Sequence, residues 1–328
     1  MNILVCLDHS TEAAQAVESI AQSGFLENKF VCLLHVGNSQ AAEEYDFGLL
    51  RNMESRIRAL CSPRKIDKLL SFDYRTADAI LEKATLINAS LIVVGARAQS
   101  GLERMFLGSV SQALIAKSKI PVLISRDSST VGSGKLLLGL DDCAASSSLL
   151  SWLSNEPWCI NKEIILLSVI ERLSSSFYSE TNVAAAAEQL AKHDWQESSR
   201  TKLLSAWSAL LSGILKRDLI PSTVSEGNPQ EQILKAASHW GAEFVVVGAT
   251  KKTRSDRLVL GSVSQAIAVK ASASVLIVPE SVPDVFETVR QSTHACDELA
   301  NLLAEEPHPM PTHTPITGTD TNGFMAYW

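Results

Sequence analysis

The heptapeptide Leu107-Gly108-Ser109-Val110-Ser111-Gln112-Ala113 occurs a second time, without change, as Leu260-Gly261-Ser262-Val263-Ser264-Gln265-Ala266. The same spacing of 153 residues separates Val93-Val94-Gly95-Ala96 from Val246-Val247-Gly248-Ala249. Seven consecutive identities that include glycine and glutamine do not arise readily by chance. We therefore infer a tandem duplication, which decides the fold because both copies must then be folding units of the same kind.

The two copies differ in length. Leu7-Asp8 corresponds to Leu140-Asp141 at a spacing of 133 residues, so the second copy holds about 20 additional residues before its glycine segment. These residues fall around 182–213, where Ala184–Ala187 and the following Leu, Lys, Gln and Glu favour helix. We expect an extended helix in this crossover of the second copy.

Short apolar runs alternate with helical patterns in each copy, which predicts βαβ units and a parallel sheet. The run Ser90–Val94 is almost wholly apolar, as expected of a strand covered on both faces. The fold class is thus α/β, with two tandem five-stranded parallel-sheet, Rossmann-like domains. The predicted strands are 2–8, 30–36, 66–73, 90–95 and 121–125, then 135–141, 163–169, 218–224, 243–248 and 274–279. The predicted helices are 10–23, 41–61, 75–88 and 108–119, then 143–154, 181–213, 229–240 and 261–272.

The chain divides into four parts on this interpretation. The first domain is 1–127, a short polar and flexible linker is 128–134, and the second domain is 135–280. The tail, 281–328, holds seven acidic residues and one basic residue, so it accounts for six units of the formal net charge of −7. The tail has helical spacing at first and is then proline-rich and, we expect, disordered. It could contact a protein partner.

Composition excludes several classes of function. The body of the chain is electrically balanced, so we expect no nucleic-acid partner. No apolar run approaches the roughly 20 residues that span a bilayer, so we expect no membrane association. The first residues resemble a strand rather than a signal peptide. The six cysteines are scattered without metal-site spacing, which favours a reducing, cytoplasmic location.

A glycine loop follows the fourth strand in both copies. Gly95 and Gly248 end the strands, a 12-residue loop follows, and Gly108-Ser109 or Gly261-Ser262 opens a helix. A helix N-terminus exposes unpaired N–H groups and a positive dipole end, and a glycine there lets a phosphate approach the backbone. The pattern thus indicates an anion site at the carboxyl edge of a parallel sheet. Ordinary helix capping after an ordinary turn explains the same residues.

The loop resembles the Gly-x2-Gly-x9-Gly-(Ser/Thr) signature of the universal stress protein family. The resemblance covers residues 1–280 as two domains and implies the adenine nucleotide alpha hydrolase-like fold of that family, frequent dimerisation, and ATP as a ligand, with Mg²⁺ accompanying it. It also implies that an aspartate after strand one lies near the base and ribose, and that a valine ending strand two lies beside the adenine. The positions implied to bind nucleotide are Asp8, Val36, Gly95, Ala98, Gly108, Ser109 and Val110, and in the second copy Asp141, Val169, Gly248, Lys251, Gly261, Ser262 and Val263.

Neither copy matches the signature completely. The second signature glycine is replaced by Ala98 in the first copy and by Lys251 in the second. A methyl group at Ala98 is tolerated if the backbone there has negative φ. The Lys251 side chain could neutralise a phosphate or block it.

The sequence contains no catalytic or metal-binding constellation that we recognise from spacing. Walker A and Gly-x-Ser-x-Gly motifs are absent, and no histidine forms a metal-spaced pair. We therefore predict no catalytic residue and no metal ligand. His9, beside Asp8, could act as a general base or could be a loop histidine bonded to backbone.

Three functions follow from these observations. The first is a stress-response protein that binds ATP or a related nucleotide as a regulatory ligand. The second is an interaction or scaffold protein with degenerate pockets, and the third is an ATP-hydrolysing enzyme. In all three, the apolar edge strands 121–125 and 274–279 are expected to pair, which makes the two halves an intramolecular pseudo-dimer. A homodimer of two chains could form as well.

Overall fold

The computed structural model describes residues 1–96, 107–127, 130–170, 172, 183–254 and 257–280. The first half alternates strand and helix, with a 3-10 turn at Gln40–Ala42. Its elements are β1 (Asn2–Leu7), α1 (Thr11–Gln22), β2 (Phe30–Gly37), α2 (Glu43–Leu60), β3 (Lys65–Phe72), α3 (Thr76–Leu86), β4 (Leu91–Gly95), α4 (Ser109–Lys117) and β5 (Val122–Ser125).

The second half repeats this order, with a 3-10 turn at Pro157–Cys159, and its glycine loop contains a hairpin. Its elements are β6 (Lys135–Gly139), α5 (Ala144–Ser154), β7 (Glu163–Ile170), α6 (Val183–Leu215), β8 (Ser222–Glu226), α7 (Pro229–Trp240), β9 (Phe244–Ala249), β10 (Lys251–Arg254), β11 (Arg257–Leu260), α8 (Ser262–Lys270) and β12 (Ser274–Pro279). Among the described helices, none is both long and apolar enough to cross a lipid bilayer.

Ten strands form one continuous sheet, in the order β3-β2-β1-β4-β5-β12-β9-β6-β7-β8. All neighbours within a half are parallel, whereas β5 and β12 pair antiparallel, with Ile124 opposite Val275. The two five-stranded halves are therefore joined edge to edge with reversed direction. This confirms the predicted pairing of the last strand of each copy, and it removes two apolar edges from solvent.

Helices cover both faces of the sheet, giving three layers. Ile3 and Val5 face one apolar cluster with α1, α2, α5 and α6, while Leu4 faces a second cluster with α3, α4, α7 and α8. Successive strand residues point to opposite faces, so a strand buried on both sides is apolar throughout. Each cluster contains residues of both halves.

The junction between the halves is packed as tightly as a domain core. The rings of Phe25 from the first half and Trp158 from the second have centroids 4.6 Å apart, and Phe244 lies 5.1 Å from Trp158. Beside them, Lys29 Nζ lies 2.7 Å from Glu156 Oε2, with both side chains more than nine-tenths buried. This ion pair joins the halves through the interior.

The connection between the halves is more ordered than the predicted flexible linker. Among residues 130–134, the amides of Gly132 and Gly134 donate to the two carboxylate oxygens of Glu243, at 3.0 and 2.9 Å. Glu243 is itself buried. Both glycines have positive φ, near 81° and 72°, which a residue with a side chain rarely adopts. The segment is thus tied to the second half; residues 128–129 and the tail lie outside the described residues.

The extended crossover helix is confirmed, but the strand after it begins later than predicted. The helix ends at Leu215, and Lys216 follows with a φ of 51°. Ser208 Oγ then donates to the carbonyl of Ile220 at 2.5 Å, and the amide of Ile220 donates to Ser212 Oγ at 2.9 Å. These bonds hold the connecting residues against α6, so β8 starts only at Ser222.

The glycine loop of the second copy is also more regular than predicted. It contains the antiparallel hairpin β10–β11, with Lys251 opposite Leu260, where the sequence indicated a loop. Thr253 and Val259, which favour strand, lie within it.

Candidate nucleotide site

Each half contains a cavity at the carboxyl ends of its parallel strands. The first has a volume of about 550 Å³ and lies where β1 is flanked by β2 on one side and β4 on the other. Open α/β sheets bind ligands at such a crevice, because neighbouring connections there leave the sheet towards opposite faces. The described residues that sequence analysis assigned to this half all line it: Asp8, Val36, Gly95, Gly108, Ser109 and Val110.

The second cavity, of about 510 Å³, occupies the matching position between β6, β7 and β9. It is lined by Asp141, Val169, Gly248, Gly261, Ser262 and Val263. The two departures from the family signature are not placed against either cavity. Ala98 lies outside the described residues, and of Lys251 only the backbone position, at the start of β10, is described.

The N-terminus of a helix opens into each cavity. Gly108 precedes α4 with φ −59° and ψ 149°, and Gly261 precedes α8 with φ −57° and ψ 140°. A glycine has no side chain with which to cap the first-turn amides, and no side-chain cap bond is made at either helix. The first-turn N–H groups and the positive end of the dipole are therefore directed at the cavity, which suits an anion.

The glycines of the loop serve two different purposes. A β-carbon at Gly95 would lie 2.9 Å from Cα of Ala13, and one at Gly248 would lie 2.8 Å from the carbonyl carbon of Ala145. These glycines let α1 and α5 pack closely on the strands. A β-carbon at Gly108 would meet no atom of the described residues within 4 Å, so that glycine borders open space in this part of the chain.

The aspartates after strand one shape the chain as it leaves the sheet. Asp8 Oδ1 accepts from the amide of Ser10 at 3.0 Å, and Asp141 Oδ1 accepts from the amide of Cys143 at 3.2 Å. Ser146 Oγ also donates to Asp141 Oδ1, at 2.8 Å. Each carboxylate thus fixes a tight turn at the cavity edge, and a local Asx turn explains part of its role.

At the far end of the first cavity, three side chains meet that sequence analysis did not connect. His9 Nε2 lies 2.7 Å from Asp46 Oδ1, and His35 Nε2 lies 3.5 Å from the same oxygen. The ring of His9 stacks on Tyr45 at 4.6 Å. These residues come from the loop after β1, from β2 and from α2, so no local spacing reveals them. The absence of metal-spaced histidine pairs in the sequence therefore did not reveal this cluster, whose members lie far apart in the chain.

In the second cavity, the extended helix α6 supplies part of the wall. Gln196 and Arg200 of α6 line this cavity, and Arg200 Nη2 lies 2.8 Å from Asp142 Oδ1. The other terminal nitrogen of Arg200 is buried and has no hydrogen-bond partner among the residues that the structure describes. The sequence predicted the extended helix but carried no signal that one face of it would border the cavity.

The cysteine at the second cavity is in an environment that favours the thiol over the thiolate. Burial, reinforced by the nearby Asp141, raises the pKa of the Cys143 thiol to about 12. The thiol is therefore protonated at neutral pH, and thiol chemistry requires the thiolate.

Comparison with known proteins agrees with the fold and with the repeat. A model of the universal stress protein family matches residues 1–126 and again 133–279. A universal stress protein of Mycolicibacterium smegmatis is 28% identical over 302 residues, covering 84% of this chain and 96% of that protein. The stress response protein NhaX of Bacillus subtilis is 52% identical over 48 residues, which are 15% of this chain and 29% of NhaX.

Solved structures show the same architecture. The crystal structure of a universal stress protein from Archaeoglobus fulgidus superposes with a TM-score of 0.62 at 17% identity, covering 85% of this chain and 98% of that one. Together with the doubled family match, the doubled glycine loop and the two parallel half-sheets, this likeness leads to one conclusion: the chain belongs to the universal stress protein family and carries two of its domains in tandem.

Proposed function

We propose that the chain is a stress-response protein that binds ATP, or a related nucleotide with Mg²⁺, as a regulatory ligand in both cavities. The observation that carries this proposal is the pair of helix N-termini, α4 and α8, each opening without a side-chain cap into a cavity at the carboxyl edge of a parallel sheet.

Size and chemistry support a nucleotide. Both cavities lie within the range of roughly 300–1,000 Å³ that suits small-molecule ligands. In the first cavity, the backbone amides of Ser109 and Val110 would donate hydrogen bonds to phosphate oxygens. Val36 offers an apolar wall for a base. Asp8 lines the same cavity, and a ribose hydroxyl could donate to its carboxylate. Ser262, Val263, Val169 and Asp141 repeat the arrangement in the second cavity.

A cytoplasmic location is part of the proposal. The cysteines among the described residues are free thiols, and most of them are partly or wholly buried by the fold. Free thiols in such number are typical of proteins kept in a reducing compartment.

Calorimetric titration of the full-length protein with MgATP tests the proposal. We expect two binding events per chain for the wild type, one for Gly108→Val, one for Gly261→Val and none for the double variant. Valine can adopt the backbone angles at both positions, so these variants should fold while their side chains fill the space that a phosphate would occupy. Gly213→Val, at an open glycine of α6, is the matched control and should bind like the wild type.

Absence of binding by the wild type at millimolar MgATP would overturn the proposal. So would unchanged binding by the double variant, because the nucleotide would then lie elsewhere. Mass spectrometry of protein purified without added ligand provides a second test, since a retained nucleotide would identify itself by mass.

A further inference from the structure

The cluster at the far end of the first cavity joins three metal-ligating side chains from separate elements. In the part of the chain that the structure describes, His9, His35 and Asp46 are the one group of three whose ligand atoms all lie within 4.8 Å of one another. Parallel pairing of β1 with β2 places Leu7 opposite His35, which brings the loop containing His9 next to the second histidine. Asp46, in the first turn of α2, lies beside both histidines.

The hydrogen bond at one ring nitrogen of His35 is of the kind that metal-bound histidines make. Its Nδ1 lies 2.9 Å from the carbonyl oxygen of Leu7, so Nδ1 carries the proton and donates it. The electron pair of the neutral ring is then on Nε2, which faces Asp46 Oδ1 at 3.5 Å. Two electron-pair donors that face each other need a cation or a proton between them. A histidine that donates its other ring N–H to a backbone carbonyl is the usual outer-shell arrangement of a metal ligand.

The Asp46 side chain is buried in the protein interior, and its position is closely restricted. It is 3% exposed, and its other oxygen, Oδ2, lies 2.7 Å from where a β-carbon of residue 37 would be. Only glycine at position 37 leaves space for the carboxylate. His9, by contrast, has 37% of its side chain exposed and stacks on Tyr45, so the cluster is closed by protein on one side and open to the cavity on the other.

We propose that His9 Nε2, His35 Nε2 and Asp46 Oδ1 form a binding site for a first-row divalent transition metal such as Zn²⁺. Two imidazoles and one carboxylate suit zinc and its neighbours, whereas Mg²⁺ prefers oxygen ligands. Around tetrahedral zinc, ligand atoms lie roughly 3.3 Å apart. The His35–Asp46 separation already matches this distance. His9, on an exposed loop, has to move about half an ångström away from Asp46 and also closer to His35, because the three ligand atoms are spread over as much as 4.8 Å.

The remaining coordination position faces the cavity, where water or a ligand could occupy it. The site goes beyond the proposed nucleotide function and does not depend on it. The second half provides an internal comparison, because Asp142, Ser168 and Ile170 stand at the positions of His9, His35 and Gly37. That half forms the same sheet without the cluster, so the fold alone does not require it.

Zinc affinity of the full-length protein, stripped with a chelator and free of nucleotide, tests the proposal. Competition against a chromophoric chelator should give one tightly bound Zn²⁺ per wild-type chain. Replacing Zn²⁺ with Co²⁺ should give the visible absorption of a four- or five-coordinate ion. His9→Ala should weaken Zn²⁺ binding more than about 100-fold, because removal of a direct ligand costs at least as much as removal of an outer-shell partner. His9 is exposed enough that this variant should fold.

Asp46→Asn should weaken binding similarly, with far-UV circular dichroism confirming the fold. His239→Ala removes an exposed histidine of α7 and should leave the affinity unchanged. A wild-type protein that binds no Zn²⁺ at micromolar concentration would overturn the proposal. Retention of wild-type affinity in His9→Ala would overturn it too, because the metal would then be held elsewhere, for example by thiols.

Discussion

The two halves of the chain agree at one end of their cavities and differ at the other. Both place a helix N-terminus without a side-chain cap at a Gly-Ser pair, at the carboxyl edge of the sheet. The first half completes its cavity with His9, His35 and Asp46, and the second does so with Arg200 from an extended helix. The part of the cavity formed by the helix N-terminus is therefore shared, and the two cavities differ chemically in the other residues that line them.

Because of this difference, the two cavities need not hold the same ligand. One end offers two histidines and an aspartate, and the other offers an arginine paired with an aspartate, so the two cavities present different groups to any ligand. The halves are nevertheless one structural unit, because one sheet and two shared apolar clusters run through both.

Breaking the buried ion pair at the junction should produce the largest effect. Glu156→Ala leaves Lys29 buried without its partner, which should lower the free energy of unfolding by about 3–5 kcal/mol. Because the junction belongs to both halves, urea unfolding followed by circular dichroism and by tryptophan fluorescence should show the same single transition, shifted to lower urea.

The double variant Lys29→Met/Glu156→Leu is the matched control, since replacing a buried pair by apolar residues is often neutral or stabilising. Asp67→Ala, which removes an exposed pair with Lys65, should change stability by less than about 1 kcal/mol. If Glu156→Ala shifts the unfolding of one half only, the two halves are separate cooperative units, and each cavity then belongs to an independent domain.

Substitutions at the two kinds of loop glycine should have different effects on the free energy of unfolding. Gly95→Val forces a side chain against the backbone of α1, and overpacking of this kind costs about 1–3 kcal/mol or more. Gly108→Val meets no neighbour and should unfold near the wild-type midpoint. Gly248→Val and Gly261→Val should repeat this pattern in the second half. Equal losses for both members of a pair would contradict the distinction between packing and cavity glycines.

Most of the fold could be predicted because the repeat and the doubly buried strands leave local marks. The apolar run at Ser90–Val94 and its counterpart in the second copy indicate central parallel strands directly. The pairing of β5 with β12 followed from two apolar edges. The β10–β11 hairpin was not predicted, because it depends on contacts within the loop rather than on periodicity. The late start of β8 was not predicted either, because it depends on contacts with α6.

The Gly-Ser end that both cavities share was predictable because it leaves a local mark in the sequence. The residues in which the two cavities differ leave no such mark and were not predicted. Gly108-Ser109 is a contiguous motif, whereas His35 and Asp46 lie 11 residues apart on a strand and a helix. Their meeting depends on the crossing of β2 and α2. Likewise, the composition of α6 indicated helix but carried no information on which of its residues would border the second cavity.

The ion pair at the second cavity should contribute least to stability. Arg200 and Asp142 have side chains 21% and 45% exposed, and pairs of this kind contribute up to about 1 kcal/mol. Arg200→Met keeps the length of the side chain and should lower the free energy of unfolding by no more than that, measured by urea titration. A small cost would mean that the guanidinium, with one nitrogen unpaired, is available for a ligand. A cost comparable to that of Glu156→Ala would instead make Arg200 the anchor that holds α6 on the sheet, and the second cavity would then differ from the first for reasons of packing rather than of binding.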